Sequence, residues 1–246
     1  MLDVTGLTKK FDDLTVFERF DITVPRRGFT VIIGPSGCGK STLFDVLTGV
    51  VPRDDGVISW QGKSFDHLGG QAAYMQQKDL LLPWLPLMDN ALLPVKMGAA
   101  GMANSRGKAV ALFKRLGLRG FESYLPGKVS GGMRQRCALV RTLMFERELV
   151  LLDEPLSALD AITRSRLQSL LLMLQSEFGK SILMITHDIE EAILLGDQLL
   201  VVSPLPMGVQ EQYALNQPKP REIDDPTLLK IKAHVLSRLK ENAIHE

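Results

Sequence analysis

Disulfides cannot organise this chain. It has only two cysteines in 246 residues, Cys38 and Cys137, which fits a reducing compartment. It also lacks a dominant charge. Twenty-nine basic residues against twenty-eight acidic ones give a formal net charge of +1, so nothing global draws it to nucleic acid. Long apolar runs are missing as well. The most apolar stretch, "LLLPWLPLM", has two prolines and is far shorter than the roughly twenty residues of a spanning helix. The opening "MLDVTGLTKKF" has no apolar segment behind a basic one, so no secretory leader is expected. No internal repeat or low-complexity tract is present. What is there, 45% hydrophobic and 23% charged residues, suits one large domain or one domain with an inserted lobe.

The pattern along the chain predicts strands at Phe29 to Gly34, Leu149 to Leu152, Ile182 to Thr186 and Leu199 to Val202. Each is apolar on successive residues, as strands covered on both faces must be. Helical periods lie between them: Leu43, Val46 and Leu47 share one face, and Leu167, Leu170, Leu171 and Leu174 another. Strands alternating with helices imply an α/β fold with a mainly parallel sheet. "LDVTGLTKKF" and "GVISWQGKSF" read as strands of an additional antiparallel layer near the amino terminus. From about Gln77 to Glu148 the pattern turns to proline-broken apolar stretches and helices, one of them capped by Ser105. This gives an expected division into a core with its β layer (1–76 and 149–216), an inserted helical lobe (77–148), and a linker with a carboxy-terminal amphipathic helix (217–246). That helix uses Leu228, Ile231, Val235 and Leu239, and is expected to dock on its own domain.

The chemistry begins at Gly34-Pro35-Ser36-Gly37-Cys38-Gly39-Lys40-Ser41, a complete Walker A pattern placed after a strand and before a helix that continues through Thr42. Its glycines let backbone N–H groups face phosphates, and the helix adds its positive end. Lys40 is expected to reach the terminal phosphates and Ser41 to hold Mg²⁺. Leu149 to Leu152 end in Asp153-Glu154. Asp153 is then a second metal residue, and Glu154 a carboxylate placed to polarise water at the strand's carboxyl end. No guanine-reading Asn-Lys-x-Asp is found, which argues against a GTPase. A second anion-facing turn, "KVSGGMRQR", opens a helix with Ser130, Gly131, Gly132 and Met133.

Taken in order, these motifs resemble the nucleotide-binding subunit of ATP-binding cassette (ABC) transporters, over essentially the whole chain. The resemblance implies the ABC ATPase fold: a P-loop core, an antiparallel β layer and a helical lobe. It implies an ATPase using ATP and Mg²⁺, with Phe11 stacking on adenine, Gln77 touching metal and water, and His187 contacting the γ-phosphate. Neighbouring Gln76 leaves the glutamine position open by one residue. It further implies that Ser130 to Met133 serve the nucleotide of a second cassette in a head-to-tail dimer, and that Asp160 of "SALD" reaches across the interface. Val129 and Met133 replace the more typical Leu and Gln, and Phe11 the more usual Tyr. Cys38, inside the phosphate loop, predicts that thiol alkylation blocks nucleotide binding. "LLPW…DN" is similar to cassettes of bacterial importers for nitrate, sulfonates, taurine and related pyrimidines. This implies separate transmembrane permease subunits, a solute-binding protein, no nucleic acid, and a peripheral place on the cytoplasmic side of the inner membrane. The apolar stretch after Gln77 reads either as ordinary core or as a groove for a permease helix. The alternative from another class is a cassette ATPase working on nucleic acid or ribosomes.

Overall fold

A computed structural model describes residues 1–98, 104–157 and 159–244, without side chains at 243 and 244. Ala158 of the expected "SALD" turn lies outside the described residues. The amino-terminal part forms a four-stranded antiparallel sheet in the order β2-β1-β4-β5, from β1 (Leu2–Phe11), β2 (Leu14–Val24), β4 (Asp55–Trp60) and β5 (Lys63–Phe65). The second sheet holds β3 (Phe29–Ile33), β6 (Ala72–Met75), β7 (Leu149–Asp153), β8 (Ser181–Ile185), β9 (Gln198–Val202) and β10 (Val209–Ala214). Its order is β10-β9-β3-β8-β7-β6, parallel except for the antiparallel edge strand β10.

The continuous apolar runs have a direct cause. In β3, β7 and β8 every residue is buried, because neighbours along the strand serve different cores. Phe29, Val31, Ile33, Val150, Leu152, Ile182 and Met184 face one core. Ile32, Leu149, Leu151, Leu183 and Ile185 face the other, against the amino-terminal sheet and helix α1 (Lys40–Thr48). The first core is closed by helices α5 (Gly131–Leu143), α6 (Ala161–Ser176) and α7 (Ile189–Leu195). On α6, Leu167, Leu170, Leu171 and Leu174 are all buried, as their spacing predicts.

Between β6 and β7 run the short helices α2 (Leu87–Ala91) and α3 (Leu93–Lys96), then α4 (Ser105–Arg115) and α5. The Ser105 cap is not observed. Asn104 takes the N-cap position in a left-handed conformation (φ 55°), and Ser105 is the first helical residue. Helix α8 (Pro226–Ile244) docks on its own chain. Its Leu228 and Val235 are fully buried, Ile231 and Leu239 are half-buried against the same core, and Lys232 pairs with Glu190 of α7 at 2.5 Å. The linker before it is pinned by buried Arg221, whose guanidinium donates to the carbonyls of Ile193 and Gly196 at the end of α7.

Candidate nucleotide site

Strand β3 delivers the chain into the 34–39 loop, and α1 starts at once. Gly37 and Gly39 take φ of 77° and 104°, which L side chains rarely adopt, and a Cβ on Gly39 would come within 2.4 Å of Val16. Ser36, Gly37 and Ser41 are exposed, Pro35, Gly39 and Thr42 half-buried, and Gly34 and Cys38 buried. Lys40 is folded into this loop, 8% exposed, with its ammonium donating to the Gly34 carbonyl (2.8 Å) and the Pro35 carbonyl (2.5 Å). A buried cation with its donors aimed at the centre of a glycine turn is an anion site. Cys38 is only 2% exposed, and burial pushes its thiol above the ordinary range, partly offset by Lys40. The thiol is therefore a poorer target for alkylation than its place in the motif suggests.

The next elements bring carboxylates to the same end of the sheet. Asp153 closes β7, 2% exposed, and its Oδ1 has no hydrogen-bond partner. Burial lifts its carboxyl to about 6, with a hydrogen bond from Ser41 opposing the shift and Glu154 adding to it. A buried carboxylate oxygen left without a partner beside a serine hydroxyl is a donor set that fits Mg²⁺. The chain then turns left-handed at Glu154 (φ 47°), held by its N–H to the Ile185 carbonyl at 2.9 Å. Its carbonyl accepts from Gln135 Nε2 and Ser157 Oγ, both at 3.0 Å.

That turn presents the Glu154 carboxylate to two residues from other strands. Gln77, after β6, donates from Nε2 to Glu154 Oε2 at 3.2 Å, and His187 Nδ1, after β8, lies 3.3 Å from the same oxygen. Three strand ends thus converge on one oxygen, and Gln77, rather than Gln76, makes the contact. Phe11 ends β1 with its ring 43% exposed and the Lys9 ammonium 4.9 Å from its centroid, an available stacking face.

Two sequence-predicted positions face solvent instead. Ser130 is the N-cap of α5, its Oγ accepting from Met133 N–H at 3.3 Å. Ser130 and Gly131 are exposed, while Gly132 and Met133 are half-buried. Asp160 caps α6 by accepting from Thr163 N–H at 3.0 Å, a bond that holds its carboxyl below the usual range.

Several residues with clear work here were given no role of their own by the sequence, although Asn90 belongs to the "LLPW…DN" pattern. Gln135, one turn into α5, reaches the Glu154 carbonyl. Arg134 pairs with Asp79 at 2.9 Å, and Arg141 donates to the Asp79 carbonyl at 2.7 Å, so α5 grips the segment just after Gln77. Fully buried Asn90 closes the apolar loop: its Oδ1 accepts from Leu82 N–H (2.7 Å), and its Nδ2 donates to the carbonyls of Leu82 (3.1 Å) and Leu85 (2.8 Å). The loop is part core and part surface. Leu81 and Leu87 are buried, whereas Leu80 is 53% and Trp84 70% exposed.

A phosphate-type glycine loop, a buried carboxylate of metal-ligand type and a glutamate engaged by Gln77 and His187 at adjoining strand ends define a P-loop nucleotide hydrolase. The family model described as ABC transporter matches residues 17–157. The chain is 36% identical over 249 residues to the taurine import ATP-binding protein TauB of Escherichia coli O157:H7, covering 98% of both chains. It is 39% identical over 199 residues to TauB of Rhizobium johnstonii (81% of this chain, 76% of that one). It is 37% identical over 242 residues to the aliphatic sulfonates import ATP-binding protein SsuB 2 of Burkholderia lata (98% and 87%). Among solved structures, the post-hydrolysis dimer of the ATP-binding cassette MJ0796 bound to ADP and Pi superposes with a TM-score of 0.79 at 26% identity, covering 89% of this chain and all of that one. A second dimeric MJ0796 structure, described as a bacterial ABC transporter cassette, gives 0.80 at 25%, with the same coverage. The chain belongs to the ABC transporter family, has the ABC ATPase fold, and is an ATP-binding, ATP-hydrolysing subunit.

Proposed function

We propose that this chain is the motor of a bacterial importer for a small sulfonate-type solute, working as a head-to-tail dimer on separate permease subunits. The observation that carries the hydrolytic part is the convergence of Gln77, Glu154 and His187. In this reading the loop from Gly34 to Thr42 grips the phosphates of ATP, Lys40 transferring its hydrogen bonds to phosphate oxygens, while Phe11 stacks on adenine. Ser41, Asp153 and Gln77 would hold Mg²⁺, which when bound neutralises phosphate charge. Glu154 accepts the proton of the attacking water, a role typically worth 10²–10⁴-fold in rate. His187 and Gln77 fix the direction of that carboxylate. Ser130 to Met133 and Asp160, solvent-facing here, serve the nucleotide of the second subunit; a γ-phosphate bridging two chains makes the interface depend on ATP.

Import, rather than work on nucleic acid or ribosomes, is favoured by relatives named for taurine and aliphatic sulfonate import. Among the described residues no helix is long and apolar enough to cross a membrane, so the permease is a separate partner in this reading. Its contact would be the 77–148 segment, acting as a lobe, which exposes Leu80 and Trp84 and carries a cleft of about 200 Å³ lined by Pro86, Met88, Asp89, Arg106, Glu122 and Ser123. That contact would hold the subunit at the cytoplasmic face of the inner membrane. Co-expression with the permease subunits of a taurine or alkanesulfonate importer should give a complex whose ATPase rate rises when taurine- or alkanesulfonate-loaded binding protein is added. Failure of the permeases to co-purify, or a rate indifferent to every sulfonate, would remove the importer assignment.

A further inference from the structure

Glu191 is a carboxylate 4% exposed in the first turn of α7, four residues beyond His187. Burying a carboxylate costs several kcal/mol unless partners compensate, and an apolar residue of similar size is often the more stable choice. Its partners therefore deserve a reason. On one side, Glu191 Oε2 accepts from the buried Thr186 hydroxyl at 2.7 Å, and that same hydroxyl accepts from Asp188 N–H at 3.1 Å. The residues on either side of His187 are thus tied to one side chain. On the other side, Oε1 lies 3.6 Å from Arg164 Nε, a buried nitrogen with no hydrogen-bond partner. Arg164 Nη2 donates to the Leu159 carbonyl at 3.2 Å, next to Asp160, and Arg164 N–H to the Asp160 carbonyl at 2.8 Å.

We propose that Glu191 and Arg164 are positioning residues, forming a strut, buried at its Glu191 end, between the loop that carries His187 and the turn that carries Asp160. The inference rests on the proposed roles of those two loops and deepens them. One loop faces the γ-phosphate of the chain's own nucleotide and the other faces the second subunit, so the strut links the state of one site to the interface. The 3.6 Å gap lies beyond hydrogen-bond reach, which leaves the pair room to shorten as the two loops approach.

The test is a double-mutant cycle on the full-length chain. Glu191→Gln keeps an acceptor for Thr186 but removes the charge; Arg164→Met removes the other end. Each is expected to lower kcat about tenfold while KM for ATP moves by less than about twofold. The double variant should be no slower than the worse single, because a broken strut cannot be broken twice. Unchanged kcat in either single, or losses that multiply, would overturn the proposal. If Glu191→Gln unfolds early, Thr186→Ala paired with Arg164→Met runs the same cycle through the other contact. ATP-driven dimerisation of Glu154→Gln, with the strut intact, tests the dimeric reading separately. Should that dimer fail to form, the dimeric reading falls, and the kcat cycle still decides the strut.

Discussion

Two turns that the sequence reads as anion-facing are built differently. The 34–39 loop is fed by a fully buried strand, encloses an almost buried lysine, and has the Asp153 carboxylate beside Ser41. The Ser130 turn also opens a helix, but among the described residues its hydroxyl is engaged only by its own cap bond to Met133, and the residue is exposed. A site that must hold its ligand alone brings its own cation. A site that supplies hydroxyl and backbone donors without a buried charge is suited to completing a pocket whose remainder is elsewhere. The difference separates gripping the nucleotide from using it.

Replacing Glu154 by Gln should sharpen that division most. Turnover is expected to fall by about 10²–10⁴ while ATP binding survives, and gel filtration with Mg-ATP should show an accumulated dimer. A monomer with normal turnover would break the comparison outright. Lys40→Ala should weaken ATP binding by about 10–100-fold, the worth of one or two charged hydrogen bonds, as read by equilibrium dialysis. Ser130→Ala should do the reverse, leaving binding to the monomer within about twofold and lowering kcat about tenfold. If the two variants lose the same property, the turns are not different in kind. Asn90→Ala tests the framework between them. It strands the Leu82 N–H and the Leu85 carbonyl, so thermal unfolding should report a loss of about 2–4 kcal/mol.

The smallest effect concerns the tail helix. Glu211 of β10 is held below the usual carboxylate range by hydrogen bonds from Tyr213 and from Arg238 and His234 of α8. A carboxylate with a depressed folded-state value stabilises above its unfolded value and loses that contribution as pH falls through the folded one. The Tm difference between the native chain and Glu211→Gln should therefore be present at neutral pH and vanish in acid below the ordinary Glu range. Being a surface cluster, it should amount to at most about 1 kcal/mol.

The parallel strands were legible because both faces are buried: Phe29 to Ile33 and Leu149 to Leu152 leave no polar alternation to confuse the period. Strand β2 was missed, since "LTVFERFDITV" interleaves charges with apolar residues and bulges against β1. Strand β10 escaped for a related reason, being an edge strand without a single fully buried residue. The Walker loop reads from local chemistry alone. The family resemblance assigned Gln77 to metal and water and His187 to the γ-phosphate, but not their meeting at Glu154, because residues scattered across the chain meet only where the sheet order places β6, β7 and β8 side by side. Gln135 and Arg134 had no local pattern that gave them a role, and Asn90 entered only as the last letter of "LLPW…DN"; their partners exist only once α5 and the 79–86 loop are packed.

The chain's two tryptophans sit in opposite surroundings, Trp60 5% exposed inside the β layer and Trp84 70% exposed on the loop after Gln77. One indole is therefore a steady internal standard and the other a solvent-quenched reporter. If the proposed permease covers this loop, the part of a blue shift that Trp84→Phe abolishes would come from Trp84, so the proposed engagement could be followed optically without attaching any dye.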